Sequence, residues 1–324
     1  MSLNESSQPI AVPALRIERL RFRCVAEEPI RLPDYAGSAW RGVFGRALRA
    51  SVCVTRQPRC SGCMLLNHCV YSTFFESPPA SPETAKRYNA LPHPFVLEPD
   101  VDSRRELAPG AQLQLGMTLI GPAGDLTPYL VHALQRAGEY GLDRQGARFR
   151  LVALEQQRQL GCEDWEEIYS AEEGVLRPAR SAPATPSPCP QTLELQLLTP
   201  LRLKRHGSFV GAQELSARDL IGTLATRVAL LAELYQPEAS PQDRSAVNAA
   251  IDAVQIDERD LRWYEWTRWS SRQQTRMQFG GLIGNLRLSG AGLAALWPLI
   301  ELGQWLHVGK ASSFGLGRYR VELR

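Results

Sequence analysis

The stretch RPARSAPATPSPCPQ, residues 177–191, does most to limit how this chain can fold. Proline, alanine and serine replace any apolar period there, the composition of a linker. It leaves two near-equal halves, 1–176 and 192–324, and both read in the same order of elements. In the first, ALRIERLRFRCVA alternates apolar and charged residues as a half-buried strand does. AGSAWRGVFGRALRA then places Ala39, Val43, Ala47 and Leu48 on one helical face, with Asp34 or Ser38 as N-cap. HPFVLEP and AQLQLGMTLIG read as strands, LTPYLVHALQRAGEYG as a helix closed by glycine, and RFRLVALEQQ as a strand.

The second half repeats the order. TLELQLLTPLRLK is a strand, SARDLIGTLATRVALLAELY a long amphipathic helix and VQIDERDLRWYEWTRWSSR a broken strand. TRMQFGGLIGNLRLSG is a strand, LAALWPLIELGQW a helix despite Pro298, and FGLGRYRVEL the closing strand. The expectation is an α+β chain of two tandem ferredoxin-like (RRM-like, βαββαβ) domains, the first carrying a cysteine-rich insertion at about residues 53–76. Such a fold hosts many activities, so function must come from particular residues.

Composition excludes some classes. A net charge of +3 is too weak to prove a polyanionic partner, so any such claim must rest on where the arginines lie. No run of about 18 uninterrupted apolar residues is present, and the N-terminus lacks a basic segment followed by an apolar one, which predicts a cytoplasmic protein without a membrane span. Four of the seven cysteines, Cys53, Cys60, Cys63 and Cys69, fall together, fitting metal ligation in a reducing compartment better than a disulfide framework. The central C-x-x-C and two flanking thiols suffice for a structural zinc or an iron–sulfur cluster, with buried free thiols as the alternative. Four thiolates would leave no open position for substrate.

The C-terminal stretch HVGKASSFGLGRYRVEL carries Lys310, one of only three lysines beside Lys86 and Lys204 among 37 cationic residues. It is not a phosphate-cradling P-loop: the preceding glycine, Gly303, is one position too far, and Ala311 stands where a hydroxyl is required. Gly309, Gly315 and Gly317 would let a backbone approach a phosphate, with Lys310 as a point charge, Ser312 and Ser313 as donors and Phe314 as support. That combination suits a nucleic-acid backbone; a tight turn before an edge strand is the plainer alternative. RDLRWYEWTRWSSRQQTRMQF interleaves Arg268, Arg272 and Arg276 with tryptophans and a tyrosine, a mixture that can pair with phosphates and stack on unpaired bases. Arg202, Lys204, Arg205 and His206 form a second basic stretch. Of five histidines, His68 and His93 read as structural, His132 as half-buried on a helix and His206 as part of a basic turn. His307, three residues before Lys310, is the candidate general base.

The segments LPDYAGSAWRGVFGRALR, CVTRQPRCSGCMLLNHCVYSTFFE, LTPLRLKRHGSFV, WTRWSSRQQTRMQFGGLIG and LHVGKASSFGLGRYRV resemble the CRISPR-associated endoribonucleases that process precursor crRNA, within the RAMP superfamily. The last segment resembles the superfamily's signature loop. The resemblance implies a metal-independent cut within each repeat of a CRISPR transcript: the 2′-hydroxyl attacks the adjacent phosphate, leaving a 2′,3′-cyclic phosphate and a 5′-hydroxyl. It implies no catalytic cofactor, and as partners CRISPR repeat RNA or crRNA and other CRISPR-associated proteins of an effector complex.

Such chemistry needs a base, a cation and an acid. Relatives place a histidine in or near the first helix of the N-terminal unit, facing the glycine-rich loop. That helix has none here, and Tyr35, Arg41 and Arg46 occupy the neighbourhood. His307, Lys310 and Tyr35 are then the candidate bases, with Arg41 beside them or merely solvated. The alternatives are cutting by positioning and charge alone, a non-catalytic crRNA-binding subunit of an interference complex, and a general RNA-binding module stabilised by zinc.

Overall fold

The computed structural model describes residues 8–79, 82–88, 90–100, 106–177, 179–270 and 275–322. They form two compact units, residues 15–185 with 234–236, and residues 186–233 and 237–324 with the segment up to residue 14.

The first unit runs β1 Ile17–Ala26, β2 Ile30–Arg31, α1 Gly37–Val52, α2 Val70–Phe75, α3 Pro82–Arg87, β3 Phe95–Pro99, β4 Glu106–Leu107, β5 Gln112–Ile120, α4 Thr127–Tyr140, β6 Phe149–Gln157 and β7 Trp165–Ser170. Its main sheet is antiparallel in the order β3-β5-β1-β6-β7. The alternation in β1 buries Leu20, Phe22 and Cys24 and turns Arg19, Arg21 and Arg23 to the other face. There Arg19 pairs with Glu98 at 2.7 Å and Arg23 with Glu155 at 3.1 Å, and Arg21 also pairs with Glu155. α1 and α4 pack together, and Trp40, Phe44, Phe74, Phe95, Met117 and Phe149 fill the core. Neither expected residue caps α1: Ala36 is its N-cap, without a side-chain hydrogen bond.

The second unit runs β8 Leu193–Leu201, β9 Lys204–Arg205, β10 Ser208–Phe209, α5 Ala217–Tyr235, α6 Arg244–Asp252, β11 Gln255–Tyr264, β12 Thr267–Ser270, β13 Thr275–Gln278, β14 Gly281–Ser289, α7 Leu293–Leu306 and β15 Tyr319–Glu322. Its four-stranded antiparallel sheet has the order β11-β14-β8-β15. The expected broken strand is β11 followed by β12, interrupted at Glu265 and Trp266. The strand expected at 275–290 is divided into β13 and β14, and α7 continues through Pro298.

Residues 177–191 are less free than a linker. The Ala182 amide bonds to the Arg158 carbonyl at 2.7 Å, and its own carbonyl accepts from the Leu160 amide at 3.0 Å. Ser187 donates to Glu301 at 2.7 Å and accepts the Trp297 indole on its carbonyl at 2.8 Å. No helix among the described residues is long and apolar enough to cross a membrane.

Candidate functional site

The glycine-rich segment leaves α7 at His307 and is clamped onto the end of β8. The Val308 amide donates to the Gly317 carbonyl (3.0 Å), Lys310 to Arg202 (2.8 Å) and Gly317 to Pro200 (3.1 Å). Thr199 donates its hydroxyl to the Gly315 carbonyl at 2.8 Å and accepts the Arg318 amide at 2.8 Å. Two glycines answer to this clamp. A Cβ on Gly309 (φ 89°) would lie 2.5 Å from the Arg202 carbonyl oxygen, and one on Gly317 (φ 73°) would overlap that of Val308. The chain's own backbone thus demands the glycines, leaving the loop a fixed shape from which the exposed Lys310 projects.

Several residues expected to meet RNA are inside this clamp. His307 is fully buried, its Nδ1 3.2 Å from the Leu316 carbonyl oxygen, where it holds the loop and does not reach solvent. Ser312 and Ser313 are buried as well, so their hydroxyls belong to the loop's interior. Gly315 is buried and Phe314 half-buried against Phe279, ring centroids 5.7 Å apart. Arg202 is also buried, donating to the Gly280 carbonyl with its guanidinium carbon 4.7 Å from the Phe279 centroid and 4.3 Å from that of Phe209. Burial holds its pKa below the ordinary arginine value, against the pull of Glu265.

Lys204 and His206 are exposed on a hairpin that sequence reasoning merged into β8. β9 and β10 pair around His206 (φ 50°) and Gly207 (φ 87°), two successive left-handed residues as in a type I′ turn. Arg205 is tied down, donating through Nε to Asp219 at 2.9 Å and through Nη2 to the Glu214 carbonyl at 2.8 Å. Arg268 and Arg276 lie on paired β12 and β13; Arg272 falls outside the described residues.

In the first unit, Tyr35 is buried and Arg46 is exposed, its guanidinium 4.4 Å over the Tyr140 ring. Arg41 projects from α1 over the Phe75 ring at 4.8 Å and places Nη2 3.3 Å from Nε2 of His93. The other ring nitrogen of His93, Nδ1, lies 2.7 Å from Ser77 Oγ, and the ring stacks on Phe95 with centroids 5.9 Å apart. A guanidinium can only donate, so Nε2 accepts from it and the imidazole is neutral with its proton on Nδ1, directed at Ser77. A histidine thus meets α1 from outside the helix, 52 positions beyond Arg41. His93 reads as structural in sequence because it stands between two prolines; the proline pair that fixes the chain there was the available signal.

Cys53, Cys60, Cys63 and Cys69 line one cavity of about 360 Å³ between α1 and α2, with Arg49, Thr55 and Tyr71. Among the described residues no three His, Cys, Asp or Glu side chains are grouped closely enough to hold a metal ion. Thr55 Oγ1 sits 3.6 Å from the Cys63 sulfur and 3.9 Å from that of Cys53. Burial raises the Cys60 thiol, as do Glu76, Cys69 and Cys53. Burial also raises Cys53, but hydrogen bonds from Arg56, Thr55 and Arg49 outweigh it and leave the thiol below its ordinary value.

Residues 15–181 match the family model of the AF_1859_N N-terminal domain, and residues 195–319 that of the CRISPR-associated endoribonuclease Cas6. An uncharacterized protein of Archaeoglobus fulgidus is 22% identical over 318 residues, covering 95% of this chain and 99% of its own. Among solved structures the fold is similar to Thermus thermophilus Cas6, with TM-score 0.54 at 17% identity, 95% of this chain and 99% of that one being covered. It is also similar to a chain of a partial Cas6-RT-Cas1–Cas2 complex, with TM-score 0.55 at 12% identity over 96% of this chain and 46% of that one. The first match spans just over half of the chain and the second takes in the glycine-rich loop, so the chain belongs to the AF_1859_N N-terminal domain family, with residues 195–319 similar to the CRISPR-associated endoribonuclease Cas6.

Proposed function

We propose that this protein cleaves CRISPR precursor transcripts within the repeat, without a catalytic metal, by attack of a 2′-hydroxyl that leaves a 2′,3′-cyclic phosphate and a 5′-hydroxyl. The observation that carries the reading is a neutral imidazole, His93, held beside a guanidinium, Arg41, in a chain whose Cas6 match includes an exposed lysine on a rigid loop. A neutral histidine can take the 2′-hydroxyl proton as a general base. When Arg41 turns its Nη2 to a phosphate oxygen, Nε2 is left open to the attacking hydroxyl. Ser77 then fixes the tautomer, and Lys310 supplies charge for the phosphate-binding loop. The strand order second, third, first, fourth in both main sheets supports the tandem ferredoxin-like reading. The common cavity of the four cysteines supports a structural zinc or iron–sulfur site, and no step of cleavage is assigned to it.

Cleavage of the cognate repeat RNA in excess EDTA, with analysis of the product ends, tests the reading. A single cut with a cyclic phosphate is expected, with His93→Ala about 100-fold slower or worse and Lys310→Ala strongly slowed. Dependence on added metal would overturn the chemistry, and full activity in His93→Ala would remove His93 from it.

A further inference from the structure

Phe209 and Trp263 are exposed where large aromatic side chains are usually covered, at 39% and 40% of their surface. They touch each other, centroids 6.1 Å apart and planes at 56°. Phe209 sits on the hairpin strand β10 and Trp263 on β11, the strand at one end of the four-stranded sheet. The indole is fixed in place: Nε1 donates to Glu265 at 2.8 Å, and a Cβ on Gly280 would overlap that same nitrogen. Cations accompany the pair, the Arg202 guanidinium carbon 4.3 Å and the Lys204 ammonium 4.9 Å from the Phe209 centroid. Arg202 also continues to Phe279, which contacts Phe314 of the glycine-rich loop. A ribbon of rings and cations thus runs from that loop to the exposed pair within one unit.

We propose that Phe209 and Trp263 form a stacking platform for an unpaired nucleobase of the RNA that the glycine-rich loop holds, an inference that rests on the RNA-processing reading above. Rigid exposed rings flanked by positive charge suit a planar, electron-rich base on a phosphate backbone, and stacking needs no particular base. A base in a duplex keeps its faces covered, so the platform takes single-stranded nucleotides.

The test uses the full chain, with the proposed base His93 intact, in EDTA and with a non-cleavable 2′-deoxy version of the repeat RNA. Binding is compared with that of a fully paired duplex of equal length, across a salt series. Phe209→Leu and Trp263→Leu should each weaken binding of the repeat strand about 5- to 100-fold while changing duplex binding less than 2-fold. The slope of affinity against salt should stay as in the wild type, because no cation is lost; Lys204→Ala, by contrast, should reduce it by about one. Phe209→Trp, which keeps a ring face, should retain affinity and reports a correctly folded hairpin. Equal losses on strand and duplex, unchanged binding of the strand, or a change of oligomeric state in the leucine variants without loss of RNA would each overturn the platform. Failure of the wild type to bind either RNA would instead overturn the RNA-processing reading.

Discussion

Asp143 follows the C-terminus of α4 and organises the turn into β6 through its carboxylate. Oδ1 accepts the amides of Gln145 at 2.9 Å and Ala147 at 3.0 Å, and Oδ2 that of Arg31 at 3.0 Å. Burial raises its pKa, but the backbone donors outweigh it and hold the carboxyl below the ordinary value. Asp143→Ala strands those donors and should cost about 2 kcal/mol, read as a fall of about 4–8 °C in Tm for a unit of this size. An unchanged Tm would show that water replaces the carboxylate. Lys310 is exposed, but His307, the candidate base in sequence, is inside, because its position at the end of α7 aims it back at the Leu316 carbonyl. Nothing local reveals that. His93 was legible as a constrained residue, and its meeting with Arg41 depends on a contact 52 residues away.

The β9–β10 hairpin has only two residues in each strand, and Arg205 fastens it to Asp219 in the first turn of α5. Burial raises the Asp219 carboxyl, but hydrogen bonds from Arg205 and from the Ser216 hydroxyl and amide prevail and depress its pKa. A depressed carboxyl contributes stability that is fully present above its unfolded value of about 3.9, and loses it as pH falls below that through the lower folded value. The hairpin should therefore be held at pH 7 and loosen below about pH 4, which amide exchange of residues 204–209 would follow. Asp219→Asn should exchange faster at pH 7 and lose the acid dependence; acid loosening that persists in the variant would assign it to another group. Long periodic elements such as β1, α1 and α7 were legible from sequence, whereas this hairpin, β7 and α6 were not. The hairpin's strands are too short to show a period, and β7 is an edge strand added beside β6 at one end of the five-stranded sheet. The signal for α6 was Asp243, whose side chain accepts the Ser245 and Ala246 amides as an N-cap.

Across the whole chain, the composition of residues 177–191 marks where the two compact units meet in sequence, but the boundary is finer than composition shows. Residues 179–182 bond back to the first unit, and Ile10, near the start of the chain, donates to the Ala295 carbonyl of the second at 2.9 Å. Only the folded chain brings residues so far apart in sequence together. The cysteine segment has the same character: spacing groups four thiols, and folding puts them on one cavity without closing them into a ligand set. Residues 53–69 contain no regular helix or strand and expose Val54 and Met64, so the segment has little apolar core of its own to hold it. A metal that draws the sulfurs inward would supply what the packing lacks, and would be separable from catalysis. Maleimide labelling counted by mass spectrometry should modify all four thiols in metal-stripped protein, and one equivalent of zinc should protect the four together. The stripped protein should still cut repeat RNA in EDTA, with a lower Tm. Protection of none, or of only the Cys60 and Cys63 pair, would make these plain thiols, and loss of cleavage along with the metal would transfer part of the chemistry to the cavity.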